Sequence, residues 1–162
     1  RPLLEKVKKS LAESYFVPII ITVMATNVQF SIAVHIMAEL ACACSEDITS
    51  ARLARSINTS PSFVRRVLAK LSKAGLVETA TGKAGSCWLA RDAKAVSLLD
   101  IYQAVDAPKA FSIHSYTAQK SCPVSCQIKG ALDKALGKTQ QAMESALAGI
   151  SLARLAAGMK RN

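Results

Sequence analysis

Five cysteines can do covalent chemistry in this chain: Cys42, Cys44, Cys87, Cys122 and Cys126. Two of them stand one helical turn apart in the run SCPVSC. Pro123 marks the first position of a helix, which makes Cys122 its N-cap. The positive end of the helix dipole, with Lys120 nearby, favours the thiolate, the form that oxidants and electrophiles attack. Cys126, four residues on, shares that face and can act as a resolving thiol. The competing reading is a small capping residue with a half-buried neighbour. Cys42 and Cys44 close an apolar helical pattern and read as packing residues. Cys87 opens a strand and could link oxidation to the geometry of a hairpin. An odd cysteine count without a secretory context points to reduced thiols in the cytoplasm.

Other chemistry has less to stand on. His114, Cys122 and Cys126 supply three metal ligands, and a closed structural zinc site needs four. No metal is therefore expected. His35 reads as a helix-surface or interface residue. There is no P-loop, no Gly-rich dinucleotide turn and no convincing carboxylate pair, so an enzyme is not expected.

Positive charge is the second resource. The formal net charge is +10. Residues 49–94 hold nine Lys/Arg and two Asp/Glu, a local balance of +7. The residues before them carry −1 and those after them +4. That concentration is an electrostatic footprint for a polyanion, although a charge run alone is often only a solvated face.

The elements that hold those charges explain the footprint. Thr49 or Ser50 can cap a helix whose Leu53, Ala54 and Ile57 share one face. Asn58-Thr59 breaks the pattern. Ser60-Pro61 restarts it with a serine cap and proline at the first helical position. Phe63, Val64, Val67, Leu68 and Leu71 then form an apolar stripe. Ser62, Arg65, Arg66, Ala69, Lys70 and Lys73 lie off it. Gly75 provides a left-handed helix end, with Leu76 packing back. Residues 76–79 and 87–90 read as two strands around a turn at 82–85, with Lys83 near its tip. Two helices, a tight turn and a wing make a winged helix-turn-helix. Its second helix puts small polar N-terminal residues toward base edges and a basic flank toward phosphates. The expected DNA contacts are Thr49, Ser60, Ser62, Arg65, Arg66, Lys70 and Lys83. The bland alternative for Lys83 is an ordinary surface lysine.

The strings NVQFSIAVHIMAELA, ARLARSINTSPSFVRRVLAKLSKAGLVET, WLAR and VSLLDIYQAVD occur in that order. Together they resemble the Rrf-two family of bacterial transcription regulators, from about Met24 to the C-terminal helix. The family includes iron–sulfur, nitric-oxide and cysteine-metabolism regulators. The resemblance implies a homodimeric winged-helix DNA binder, usually a repressor, often controlled by a cluster or by cysteine oxidation. The cluster-binding members carry three closely spaced cysteines in the loop before the long helix. Here residues 106–121 contain none, and only Cys122 falls where the last of the three would lie. Some members also use an aspartate early in the first helix, where this chain has Ser31. An iron–sulfur cluster is therefore not expected, and no cofactor is assigned.

The rest of the chain supports the reading head. Phe30, Ala33, Val34, Met37, Leu40 and Ala41 follow a helical period. Ser97 and Asp100 resemble a capping box before Leu98, Leu99, Ile101, Tyr102 and Val105. Residues 123–157 read as one long helix. Ile128, Leu132, Leu136, Thr139, Met143, Leu147 and Ile150 recur at spacings of four and three. A stripe that long at the end of a small domain is buried by pairing with a second copy, or by folding back on its own domain. Dimerisation is expected, because palindromic operators suit two-fold dimers.

These readings give a mainly α fold with a small β-wing. A winged helix-turn-helix domain spans 24–106, a loop 107–122, and a dimerisation helix and tail 123–162. Residues 1–23 read as an extension outside the native domain, which would start at Met24. The alternative is a helical arm, since Leu3, Leu4, Val7 and Leu11 share a face. Lys6, Lys8 and Lys9 before the apolar run 17–25 faintly resemble a signal peptide, but a DNA-reading domain downstream argues against export. That run is broken by Pro18 and Thr22 and too short to span a membrane. The expected protein is a cytoplasmic homodimeric regulator that binds a palindromic operator in double-stranded DNA. The alternatives are a cluster- or metal-sensing regulator of the same fold, or an interaction protein that controls an enzyme.

Overall fold

A computed structural model describes residues 28–43, 48–80 and 85–159. The N-terminal extension, Met24, Cys44 and Lys83 fall outside the described residues. Residues 28–42 are helical (α1). A two-residue strand β1 (Ile48–Thr49) leads directly into α2 (Ser50–Ile57). Thr49 Oγ1 accepts the Arg52 N–H at 3.2 Å and caps α2. The helix ends on Asn58 at φ 56°, a left-handed conformation that asparagine tolerates. Thr59 N–H and Asn58 N–H then bond back to Ala54 and Arg55 carbonyls, so the chain turns sharply into the next helix.

That helix is α3 (Pro61–Lys73), capped by Ser60 Oγ on the Phe63 N–H and opened by Pro61. It closes as a Schellman motif. Gly75 sits at φ 66°, Leu76 N–H bonds the Leu71 carbonyl and Gly75 N–H bonds the Ser72 carbonyl. Strands β2 (Val77–Thr79) and β3 (Ser86–Leu89) pair antiparallel, with Glu78 opposite Trp88. Strand β1 adds to the far side of β3, so the sheet has three strands in the order β1-β3-β2. The sequence pattern predicts only two, because a two-residue strand is too short to show alternation.

A 3-10 turn (Ala93–Ala95) precedes α4 (Leu98–Ala104). The expected capping box is present: Ser97 Oγ accepts the Asp100 N–H at 3.1 Å, and Asp100 Oδ2 accepts the Ser97 N–H at 2.7 Å. Ile36 and Met37 of α1, Leu53 of α2, Val64, Val67 and Leu71 of α3 and Ile101 of α4 are fully buried in one cluster. Each such side chain stabilises the fold by roughly 1.5–3 kcal/mol. Phe30 meets Tyr102 edge-on at 5.5 Å and ties α1 to α4.

The long helix departs from its expected length. Helix α5 (Pro123–Ala148) stops at Gly149, and a separate α6 (Leu152–Ala157) begins after the N-cap Ser151. The break has a clear cause. Ser97 and Ser151 form a bridge, Leu98 N–H bonds the Ile150 carbonyl at 2.9 Å, and Leu152 N–H bonds the Val96 carbonyl at 2.8 Å. Leu152 is fully buried, and Leu147, Ile150 and Leu155 pack on the same core. Burying those side chains in the head outweighs continuing a straight helix. No residue of α5 itself is buried.

Candidate nucleic-acid interface

Helix α3 has two faces of opposite character. Val64, Val67, Leu68 and Leu71 are buried. Ser62, Arg65, Arg66, Ala69 and Lys73 are exposed. The first turn is built to present its polar groups, since Ser60 Oγ lies 3.1 Å from Ser62 Oγ. Arg66 stacks its guanidinium over the Phe63 ring, 5.2 Å from the centroid, which limits its freedom and sets its direction. Arg65 Nε donates to Ser50 Oγ at 3.4 Å and so connects the start of α2 to the flank of α3. A concavity of about 470 Å³ lies beside these groups, lined by Ser50, Arg65, Ala69 and Ser72 together with Thr79 and Gly85 of the wing. Helix α3, the start of α2 and the wing therefore border one hollow, with Arg65 as the charged residue of its lining.

The expected contacts do not all have the same standing. Thr49 is half-buried and its hydroxyl oxygen is taken by the cap of α2. Its neighbourhood can still offer an anion the free N–H groups of the first turn. Lys70 is placed otherwise than its position off the apolar stripe implies. Its ammonium donates to the Val105 carbonyl at 3.0 Å and lies 3.2 Å from Asp106, so it holds α3 to the end of α4. Lys73, which is not among the expected contacts, is exposed. It lies eleven residues after Ser62, on the same exposed face, and that spacing was the available signal.

The thiols divide cleanly. Cys87 is buried on β3 and its Sγ–H donates to the Ile48 carbonyl at 3.1 Å. Burial, and secondarily the Glu39 carboxylate, push its pKa up to about 11. It stays a protonated thiol at neutral pH, which argues against wing-linked oxidation at this residue. Cys122 and Cys126 are exposed. Cys122 Sγ caps α5 by accepting the Ser125 N–H at 3.4 Å, and Cys126 Sγ–H donates to the Gln119 carbonyl at 3.5 Å. The loop before them is folded onto the helix start, with Tyr116 O–H donating to the Ser125 carbonyl at 2.7 Å. His114 stacks on Tyr116 at 4.7 Å. Among the described residues, no group of three or more His, Cys, Asp or Glu side chains is arranged to hold a metal ion.

On α5, Ile128 is exposed, while Leu132, Leu136, Met143 and Leu147 are half-buried. Its later half is docked on the head, since Gln140 Nε2 donates to the Tyr102 hydroxyl at 3.2 Å and Leu147 packs on the core. Of the expected seam, Leu147 and Ile150 thus serve the chain's own core as well. No helix among the described residues is long and apolar enough to cross a membrane.

Comparison with known proteins agrees with this geometry. A family model for Rrf2, described as an iron-dependent transcriptional regulator, matches residues 26–158. A protein of Bacillus subtilis (strain 168) named as an HTH-type transcriptional regulator, YwnA, is 35% identical over 127 residues, 78% of this chain and 92% of its own. A solved structure described as a DNA-binding protein is 31% identical, with a TM-score of 0.61 over 78% of this chain and 97% of that one. A structure described as a transcriptional regulator from Lactobacillus plantarum superposes with a TM-score of 0.70 over 80% of this chain and 88% of that one. At 23% identity that last likeness speaks for the fold alone.

Proposed function

The chain belongs to the Rrf2 (Rrf-two) family of transcriptional regulators, and from that premise we propose that it is a homodimeric repressor acting on a palindromic operator. The observation that carries DNA reading is the exposed face of α3, where Ser62, Arg66 and Lys73 stand opposite a fully buried stripe. In this reading Ser60 and Ser62 meet base edges at the helix start. In this reading Arg65 and Lys73 meet phosphates, and Lys83, in the sequence between β2 and β3, is a further contact. Lys70 drops out of the set, because its charge is already met by Val105 and Asp106.

The dimer rests on α5. A helix of 26 residues, about 39 Å long, none of whose side chains is fully buried has an apolar stripe in search of a partner. A second copy, antiparallel or crossed, covers Ile128, Leu132, Leu136 and Met143 and sets two α3 helices at half-sites one DNA turn apart.

Control is assigned to Cys122 and Cys126. A peroxide converts the Cys122 thiolate to a sulfenic acid and releases hydroxide. The Cys126 thiol then condenses with it, forming a disulfide and releasing water. The disulfide removes the Cys126 S–H that donates to Gln119 and draws the Cys122 sulfur away from the Ser125 N–H, which loosens the start of α5. The test is binding to genomic fragments, the gene's own promoter included, before and after mild oxidation at a stated salt concentration. Tight, specific binding that oxidation abolishes and thiol restores is expected. Specific binding indifferent to oxidation removes the thiol switch, and absence of specific binding removes the repressor.

A further inference from the structure

Helix α5 is tied to the head at its C-terminal end and again further up. The end is pinned by the packing of Leu147 and Ile150 on the core and by the Leu98 N–H bond to the Ile150 carbonyl. Gln140, seven residues before Leu147 and about 10 Å up the helix, makes a second attachment. One amide joins three segments there. Gln140 Nε2 donates to the Tyr102 hydroxyl of α4 at 3.2 Å and to Glu144 Oε1 at 2.8 Å, and Gln140 Oε1 accepts the Ala110 N–H at 3.0 Å. The Tyr102 hydroxyl in turn donates to the Pro108 carbonyl. Both amide hydrogens and the amide oxygen are engaged, and a flipped amide would set its oxygen against the Glu144 carboxylate, so the side chain has one satisfied orientation. A hollow of about 940 Å³ opens between residues 108–113 and α5, so hydrogen bonds more than close packing hold the loop to the helix here. Three residues past Tyr102, the Val105 carbonyl takes the bond from Lys70 of α3, so α4 connects the arm to the recognition helix.

We propose that Gln140 is a positioning residue that fixes the direction of α5 relative to the head, and so the spacing of the two α3 helices in the dimer. A helix pinned at one end can swing, and a second attachment stops it. A swing of about 10° over the roughly 36 Å from Leu147 to Pro123 moves the start of α5 by about 6 Å, against a rise of about 3.4 Å per base pair. Arms paired along α5 carry that displacement to the partner's head. Single hydrogen bonds of this kind contribute little net stability, so the residue's effect lies in geometry rather than in folding. The inference rests on the reading of the chain as a dimeric operator binder.

The experiment measures binding of the full chain to three duplexes from its own promoter region: the footprinted operator, the same operator with one base pair inserted between its half-sites, and one half-site alone. The insertion should cost the wild type about tenfold or more in affinity. Gln140→Leu keeps the bulk and cuts the polar link, and Tyr102→Phe removes the shared hydroxyl and keeps the ring against Phe30. Both variants should remain dimers by sedimentation with unchanged helical circular dichroism, and bind the single half-site within about twofold of wild type. Their affinity for the native operator should fall about fivefold, and the cost of the insertion should shrink to about threefold or less. The double variant should match Gln140→Leu within about twofold, since both changes cut the same link. A full insertion cost in both single variants, an equal loss on the single half-site, loss of the dimer, or additive losses in the double variant overturns the assignment. A wild type indifferent to the insertion does so too. A wild type that protects no pair of half-sites overturns the regulator reading before any variant is made, and this inference falls with it.

Discussion

Helices α3 and α5 carry the same kind of apolar stripe and meet opposite fates. Thirteen residues of α3 bury four side chains completely, while 26 residues of α5 bury none. The difference is not in the pattern but in what the chain supplies opposite it. Helix α3 is faced by α2, α4 and the wing strands, so its stripe becomes core and its other face is left exposed. The later half of α5 meets the head through Gln140 and Leu147. A periodic stripe therefore announces burial without saying against what.

The sharpest test of that contrast is to compare truncations on the two helices. Leu71→Ala in α3 should lower stability by about 2–5 kcal/mol, independent of protein concentration in urea unfolding. Leu136→Asp with Met143→Asp should leave the isolated head folded and yield monomers by sedimentation. Losing the linked second half-site should weaken operator binding by about a hundredfold. A dimer that survives the pair breaks the comparison.

Within α3, the two sides of the exposed surface can be separated. Arg66→Ala should cost about 1–3 kcal/mol of operator affinity in a gel-shift titration, with little change in thermal stability. Lys70→Ala should do the reverse: operator affinity within about threefold, and stability lowered by about 1 kcal/mol through loss of the Val105 and Asp106 contacts. Equal effects of the two on DNA would return Lys70 to the interface.

The thiols extend the contrast between head and arm. At neutral pH iodoacetamide should modify Cys122 and Cys126 in the folded protein and leave Cys87 untouched until unfolding, as mass spectrometry of the peptides would show. The Cys87 pKa is raised on folding from 9.0 to about 11. Its contribution to stability is therefore complete below about pH 9 and lost as pH rises toward 11. Wild type should lose up to about 1 kcal/mol per pH unit more than Cys87→Ala across that window.

Much of the head was legible in the residues. The Ser60-Pro61 start of α3, the Gly75 stop and the Ser97–Asp100 box are local chemistry, and each lies where its sequence signal puts it. What was hidden depended on distant partners. Strand β1 exists because Ile48 and Thr49 find Cys87 and Ser86 across the sheet. The break at Gly149 exists because Leu152 finds the core, which no spacing within 123–157 reveals. Lys70 looked like any basic flank residue until the end of α4 came beside it. Gln140 gave no signal at all, since its bonds to Tyr102 and Ala110 are a property of the packed structure.

The measurement that meets the central claim most directly is the mass and footprint of the complex with a duplex from the protein's own promoter region. The account predicts two chains per duplex and two protected half-sites whose centres lie about 10 base pairs, or a multiple of that, apart on the DNA. One chain on one half-site, or protection that moves freely with sequence, would contradict it.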